Sequence, residues 1–231
     1  MKRFVLFTCE HASHAIPEKY KHLFTNKEKI LLTHRGFDHG TKELGKALGK
    51  SFNAPVVYGK FSRLLVDLNR SKSHKTAFSE MTKVLSRSQR REVLAEFHYP
   101  HWNEITMLID QKIKAGFQVI HIGIHSFTPV LDGVVRNADI GILYDSRRKK
   151  EAAQSIKWQN AFRDQCNLRV RRNYPYDGKM DGLSSGMRKL YSQKQYLGCE
   201  IEVNHAILKT PAEIKAMEKL LVSTLKSVLD F

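Results

Sequence analysis

The order of apolar runs and amphipathic stretches in this 231-residue chain predicts an α/β fold. The expected architecture is a single three-layer domain over 1–231, with helices on both faces of a mostly parallel or mixed central sheet. Three observations carry this expectation. Short apolar runs alternate with amphipathic stretches along the whole length. No repeat, low-complexity linker or break in composition divides the chain. The stretch Val119–Gly133, VIHIGIHSFTPVLDG, alternates apolar residues with His121, Gly123 and His125, then breaks at Ser126-Phe127-Thr128-Pro129. That is the pattern of a half-buried strand ended by proline.

Phe4–Thr8 reads as the first strand, broken by Cys9-Glu10-His11-Ala12-Ser13-His14 and then Pro17. In Thr41–Phe52, Leu44, Ala47 and Leu48 share one face, which predicts a helix. Asn53-Ala54-Pro55 ends it and Val56–Tyr58 starts the next strand. Arg63–Leu68 (RLLVDL) reads as a buried strand. A helical stretch covers 88–115, interrupted at Tyr99-Pro100, because an interior proline removes a hydrogen bond and clashes with the preceding turn. Gly116 caps it. Val119–His125 is the central strand and Ile140–Tyr144 another. Lys149–Asp164 is an amphipathic helix with Ala152, Ile156, Ala161 and Phe162 available to the sheet. Leu168–Val170 is a short strand and Met187–Gln195 a helix. Cys199–Val203 alternates as a strand that could pair in either direction. Thr210-Pro211 opens a final helix that runs to Leu229.

No run approaches the ~18 apolar residues that a membrane helix needs. The N-terminal apolar run is too short for a signal peptide and meets acidic and histidine residues at once. Cys9, Cys166 and Cys199 show no metal-type spacing, and an odd count without a secretion signal fits a reducing cytoplasm. The formal net charge is +16, with basic clusters at 87–91, 147–150 and 169–172. Such a surface can attract nucleic acid, anionic membranes or small anions. No nucleic-acid motif or aromatic-basic repeat accompanies it, so nucleic acid is not the expected partner.

The chemistry-bearing residues gather at expected strand ends, the edge where α/β folds bind ligands. His11 follows the first strand and His125 ends the central one. A lone histidine at such a place is ordinarily a structural hydrogen-bonding residue, and His121, inside its strand, is read that way. Two strand-end histidines can also meet over one divalent metal, completed by a carboxylate from Glu10 or from Asp38 in the HRGFDHGT loop. Arg63 and Arg70 flank Asp67 and Asn69, and an arginine fork matches a carboxylate bidentately. Glu200 and Glu202 share a strand face, which is costly to bury unless one meets a cation or keeps a proton. A carboxylate beside an activated water is what amide hydrolysis needs. Asn173–Gly178 (NYPYDG) is a turn-rich loop.

The ordered set CEHASHAIP, FDHGT, SRLLVDLNR, YPHW, IGIHSFTPVLDG with RNADIGILYD, NYPYDG and CEIEVN resembles the N-formylglutamate amidohydrolase family over residues 9 to about 204. That family is similar in fold and chemistry to zinc carboxypeptidases and aspartoacylases. The resemblance implies a zinc-dependent amidohydrolase with one Zn²⁺ per chain. Its substrate would be a small acidic N-acyl amino acid, first of all N-formyl-L-glutamate. It implies His11, Asp38 and His125 as metal ligands, with Glu10 or His14 as alternatives to Asp38. It implies Glu202 as general acid and base, Arg63 as the group that polarises the carbonyl, and Asn69, Arg70 and Arg136 as substrate contacts. A peptidase-like or other N-acyl-amino-acid deacylase, or a non-catalytic anion-binding protein, are the competing expectations.

Overall fold

The computed structural model describes residues 2–229. In chain order its strands are β1 (Arg3–Cys9), β2 (Val56–Tyr58), β3 (Gln118–Phe127), β4 (Val130–Leu131), β5 (Val134–Val135), β6 (Ile140–Leu143), β7 (Val170–Arg172) and β8 (Tyr196–Asn204). The α-helices are α1 (Glu28–Leu31), α2 (Thr41–Phe52), α3 (Arg87–Val93), α4 (Tyr99–Lys114), α5 (Lys149–Gln165), α6 (Leu183–Leu190) and α7 (Pro211–Leu229). Six strands form one mixed sheet in the order β2-β1-β3-β8-β6-β7. All neighbours are parallel except β6 and β8, which are antiparallel. The C-terminal ends of β1, β2, β3 and β8 therefore share one edge.

Period two along the strands places one apolar core on each face of the sheet. Val5, Phe7, Ile120, Ile122, Ile124 and Ile201 pack with α2, α5 and α7 in the larger one. Leu6, Val119 and Tyr196 pack with Ile105 and Ile109 of α4 and Leu183 and Met187 of α6 in the other. Helices thus cover both faces, as the sequence predicts.

Several elements differ from their sequence reading. Every residue of β3 is buried, so its alternation separates an apolar from a polar buried face. The segment 63–68, buried from Leu64 to Leu68, forms turns instead of a strand. Its amides are spent locally: Leu65 N–H donates to Ser62 O (3.0 Å), Arg70 N–H to Asp67 O (3.2 Å), and Asp67 N–H to Ala77 O (2.8 Å). Pro100 does not break its helix. The chain widens into a π-turn over Leu94–His98, with Tyr99 N–H bonded back to Leu94 O, and this accommodates the proline. In α5 the buried face is Glu151, Ser155, Trp158 and Phe162, and Ile156 is 44% exposed. A β4–β5 hairpin stands where a loop is expected. Its turn holds Asp132 and Gly133 at φ 49° and 78°, the paired positive angles of a tight hairpin. The helix expected at Met187–Gln195 lies earlier, at Leu183–Leu190, and the strand expected at Leu168–Val170 lies later, at Val170–Arg172.

The α5 correction has a measurable consequence. Phe162 is fully buried, so Phe162→Ala should cost about 3–5 kcal/mol of unfolding free energy. Ile156→Ala, on the solvent side of the same helix, should stay within about 0.5 kcal/mol. Urea denaturation of both variants tests the assignment of the face.

Candidate active site

The polar face of the sheet carries the site. His125 near the end of β3 lies beside Glu202 of β8, and Gly123 beside Glu200, in parallel register. On the other side of β3 runs β1, which leads directly into Glu10 and His11. Asp38 enters from the loop before α2, where its N–H donates to His11 O (2.9 Å) and its carbonyl accepts from the Thr41 hydroxyl (2.8 Å). Arg63, Asp67, Asn69 and Arg70 come from the turns that follow β2. The wall opposite is the loop 176–181.

His11, Asp38 and His125 are all buried, and one donor atom from each lies within 4.8 Å of the others. The Nδ1 atoms of His11 and His125 approach the same oxygen, Asp38 Oδ2, at 3.4 and 3.0 Å. Donors of one tetrahedral zinc stand roughly 3.3 Å apart, given bonds of ~2.0 Å. The opposite ring nitrogens each meet another acid. His11 Nε2 is 2.7 Å from Asp67 Oδ1, and His125 Nε2 is 3.0 Å from Glu10 Oε2. The Glu10 contact is an ion-pair approach without directional hydrogen-bond geometry, since neither Glu10 oxygen has a hydrogen-bond partner. Asn69 Nδ2 also reaches His125 Nε2, at 3.3 Å. A carboxylate behind each imidazole, with both Nδ1 atoms turned to one point, is how proteins orient histidines toward a metal.

The charges agree with this geometry. Burial opposes ionisation of Glu10, Asp38 and Asp67, yet the histidines and Arg63 outweigh it and hold all three carboxyls below their ordinary range. Burial likewise opposes protonation of His125, and Asp38 and Glu10 override it to hold the imidazole well above its usual value. For His11, burial and Arg63 are overcome by Asp67 and Asp38. Arg63 pairs with Asp38 and Asp67, and Glu10 faces His125. With both imidazoles neutral, as metal ligation requires, one guanidinium would stand against these three buried carboxylates. The residues therefore fit a divalent cation in both donor set and charge.

Glu202 behaves differently. It is buried, its Oε2 has no hydrogen-bond partner, and it lines the same cavity. Burial drives its pKa up to about 8; His125 opposes this, and the Asp38 and Glu200 charges add to it. Its neighbour across β6 is Gly141, where a Cβ would overlap the carbonyl oxygen of Tyr174. Only glycine lets the NYPYDG loop approach the sheet so closely beside Glu202.

The remaining expected residues take graded positions. Arg63 donates from Nη2 to Asp67 Oδ2 (2.8 Å) and from Nη1 to Asp38 Oδ1 (3.4 Å), and lines the cavity. Arg70 also lines it, with Nη1 donating to Asp181 O at 2.5 Å. Asn69 accepts from Leu183 N–H through Oδ1 (2.8 Å). Arg136 sits at the rim, donating to the Tyr176 hydroxyl (2.9 Å) with its guanidinium 4.9 Å from that ring. His14 is exposed against Phe37 and stands outside the His11, Asp38 and His125 group. His121 is internal, between Thr8 Oγ1 (2.8 Å) and the Tyr196 hydroxyl (2.6 Å).

Some contributors were not anticipated. Glu151 is buried and contacts Arg188 Nε at 3.0 Å, and Arg188 donates to Gly178 O (2.6 Å) and Gly198 O (3.0 Å). This pair ties the cavity loop to β8. Ser126 N–H donates to Asp38 Oδ2 (3.3 Å), and its hydroxyl donates to His39 O (2.9 Å). No local motif marks Glu151 or Arg188, because they meet only through tertiary structure.

A sequence model of the N-formylglutamate amidohydrolase family matches residues 4–208. The Atu2144 gene product of Agrobacterium tumefaciens superposes with a TM-score of 0.84 at 30% identity, covering 98% of this chain and 90% of that one. The N-formylglutamate amidohydrolase of Ralstonia eutropha JMP134 superposes at 0.72 with 12% identity, covering 100% and 94%. No curated protein matches significantly by sequence. The chain has the fold of this hydrolase class, and family and fold together support amidohydrolase activity. It belongs to the N-formylglutamate amidohydrolase family.

Two measurements test the site. Asp67→Asn should weaken zinc binding about 10–100-fold in a chelator competition, through loss of the acid behind His11. The depressed carboxyls stabilise the fold above the unfolded value of about 4, and that contribution is lost as pH falls through their lower folded values. The melting temperature of metal-free protein should accordingly drop below about pH 4, and less steeply in Asp67→Asn.

Proposed function

We propose that the protein is a zinc-dependent amidohydrolase that cleaves small acidic N-acyl amino acids, with N-formyl-L-glutamate giving formate and glutamate as the leading substrate. The observation that carries this reading is the unpartnered, buried Glu202 carboxyl in the cavity that holds the His11, Asp38 and His125 donors. These three residues would hold the Zn²⁺, which when bound supplies Lewis acidity toward water and the scissile carbonyl.

The rest of the chemistry belongs to the chain's own side chains. Glu202 Oε2 takes a proton from the attacking water and returns it to the leaving nitrogen, so that the amine departs neutral. Burial, which favours its protonated form, suits the half of the transfer that returns the proton to the leaving nitrogen. Arg63 Nη1, held only at 3.4 Å by Asp38, turns its N–H toward the developing oxyanion. Arg70 and Asn69 fix the substrate carboxylates, and Arg136 adds positive charge at the rim. The cavity, of about 110 Å³, suits a small acyl group and a short acidic side chain.

Glu202→Gln should keep zinc content and fold and lose turnover by roughly 10²–10⁴-fold. An unchanged rate would leave Glu202 a structural residue. N-formylglutamate should also outrun N-formylleucine in kcat/KM, and Arg70→Lys, which keeps charge and loses the fork, should narrow that preference. Equal rates on the two substrates in the parent enzyme would favour a peptidase-like deacylase instead.

A further inference from the structure

The basic cluster at 87–91 remains outside the site described above. Arg87, Arg90, Arg91 and Leu94 follow the spacing i, i+3, i+4, i+7 and so share one face of the helix. That face forms one wall of a groove of about 340 Å³, and Lys72 and Lys75 form the other, with Lys83 beside them. No carboxylate lines the groove. None of these six cations has an ion pair among the described residues; Lys72 and Arg90 rest only over the Tyr99 and Phe78 rings.

Nearby acids are turned elsewhere. Glu92 and Glu96 of the same helical stretch meet Lys19 at 3.6 and 3.7 Å, and Glu80 is taken by Arg35. Charge is therefore segregated around this helix. Six like charges about one concavity repel each other unless an anion is shared among them. The groove also has an apolar floor, Phe78 and Leu94.

We propose that this groove binds an anion carrying several phosphates, of the size of an oligophosphate chain or a nucleoside triphosphate. Arginine forks match phosphate oxygens bidentately, and the lysines of the facing loop supply point charges. The concave form and limited volume favour a small multivalent anion over an extended polymer. The apolar floor accommodates an uncharged portion such as a sugar or a base.

The test is calorimetric titration of the full chain with sodium tripolyphosphate and, separately, with ATP, with zinc content checked before and after because both probes chelate metals. One saturable site is expected. Tighter ATP binding would assign the floor to the nucleoside, and equal binding would assign the site to the phosphate chain alone. Changing Arg87, Arg90 and Arg91 together to Gln should weaken binding at least about tenfold, as should Lys72→Glu with Lys75→Glu on the facing wall. Lys42, Lys46 and Lys50, exposed on distant α2, provide a charge-matched control. Changing all three to Gln should alter Kd less than about twofold. Arg70 does not line the groove, although an adjoining depression reaches it, so Arg70→Gln should leave Kd unchanged and thereby separates groove binding from active-site binding. The proposal fails if no site saturates, if the α2 control loses as much affinity as the groove variants, or if Arg70→Gln abolishes binding. It also fails if a single-stranded oligonucleotide binds more than about tenfold tighter than tripolyphosphate, which would make the face a nucleic-acid surface.

Discussion

The Asp38 carboxylate is the point on which the site depends. One of its oxygens meets the imidazoles of His11 and His125 and the Ser126 amide, and the other meets Arg63. These partners come from the end of β1, the end of β3 and the turns after β2. A single buried anion thus fixes the distances among three chain segments far apart in sequence. Its own position is set just as firmly, by its backbone bond to His11 and by Thr41 at the start of α2. Such a knot of like-charged acids is tolerable only where cations balance it, which makes charge balance the central constraint on this end of the sheet.

The alternation of β3 was legible and its meaning only half so. Apolar Ile120, Ile122 and Ile124 on one face, and His121, Gly123 and His125 on the other, announce a strand. Ordinarily the polar face of such a strand meets water. Here α4 and α6 cover that side, and the polar residues are buried as a graded series. His121 is satisfied by Thr8 and Tyr196 deep in the sheet, while His125, near the edge, reaches the site. The period told which residues share a face, but nothing in it told what covers that face. The same holds for Glu200 and Glu202, whose shared face was readable and whose central position in the sheet was not.

Residues that reach the site only through another side chain were the least legible. Asp67 could be read as an arginine partner, but its bond to His11 spans 56 positions and leaves no local trace. Glu151 reads as one acid in a charged, amphipathic helix. Its burial follows from Arg188 and from the Asp145 and Gly198 amides, which arrive only when the sheet assembles. The β4–β5 hairpin did leave a signal, the Asp132-Gly133 pair between apolar residues, and the neighbouring proline obscured it.

The turns at 62–70 show why a plausible strand would have failed. In a strand, residues an odd number of positions apart point to opposite faces. Arg63 and Arg70 are seven apart, so a strand continued through both would turn them to opposite faces. As turns, the segment brings Arg63, Asn69 and Arg70 to the site cavity and sends Leu65, Val66 and Leu68 to the opposite side. There they join Tyr20, Phe78 and Leu94 in a separate apolar cluster. The apolar residues anchor the segment by burial while the polar ones converge, and the i,i+4 reach from Arg63 to Asp67 closes the pair behind His11. The apolar run that suggested a strand is thus the buttress of a turn, and the need to present two guanidiniums to one cavity accounts for its irregular backbone.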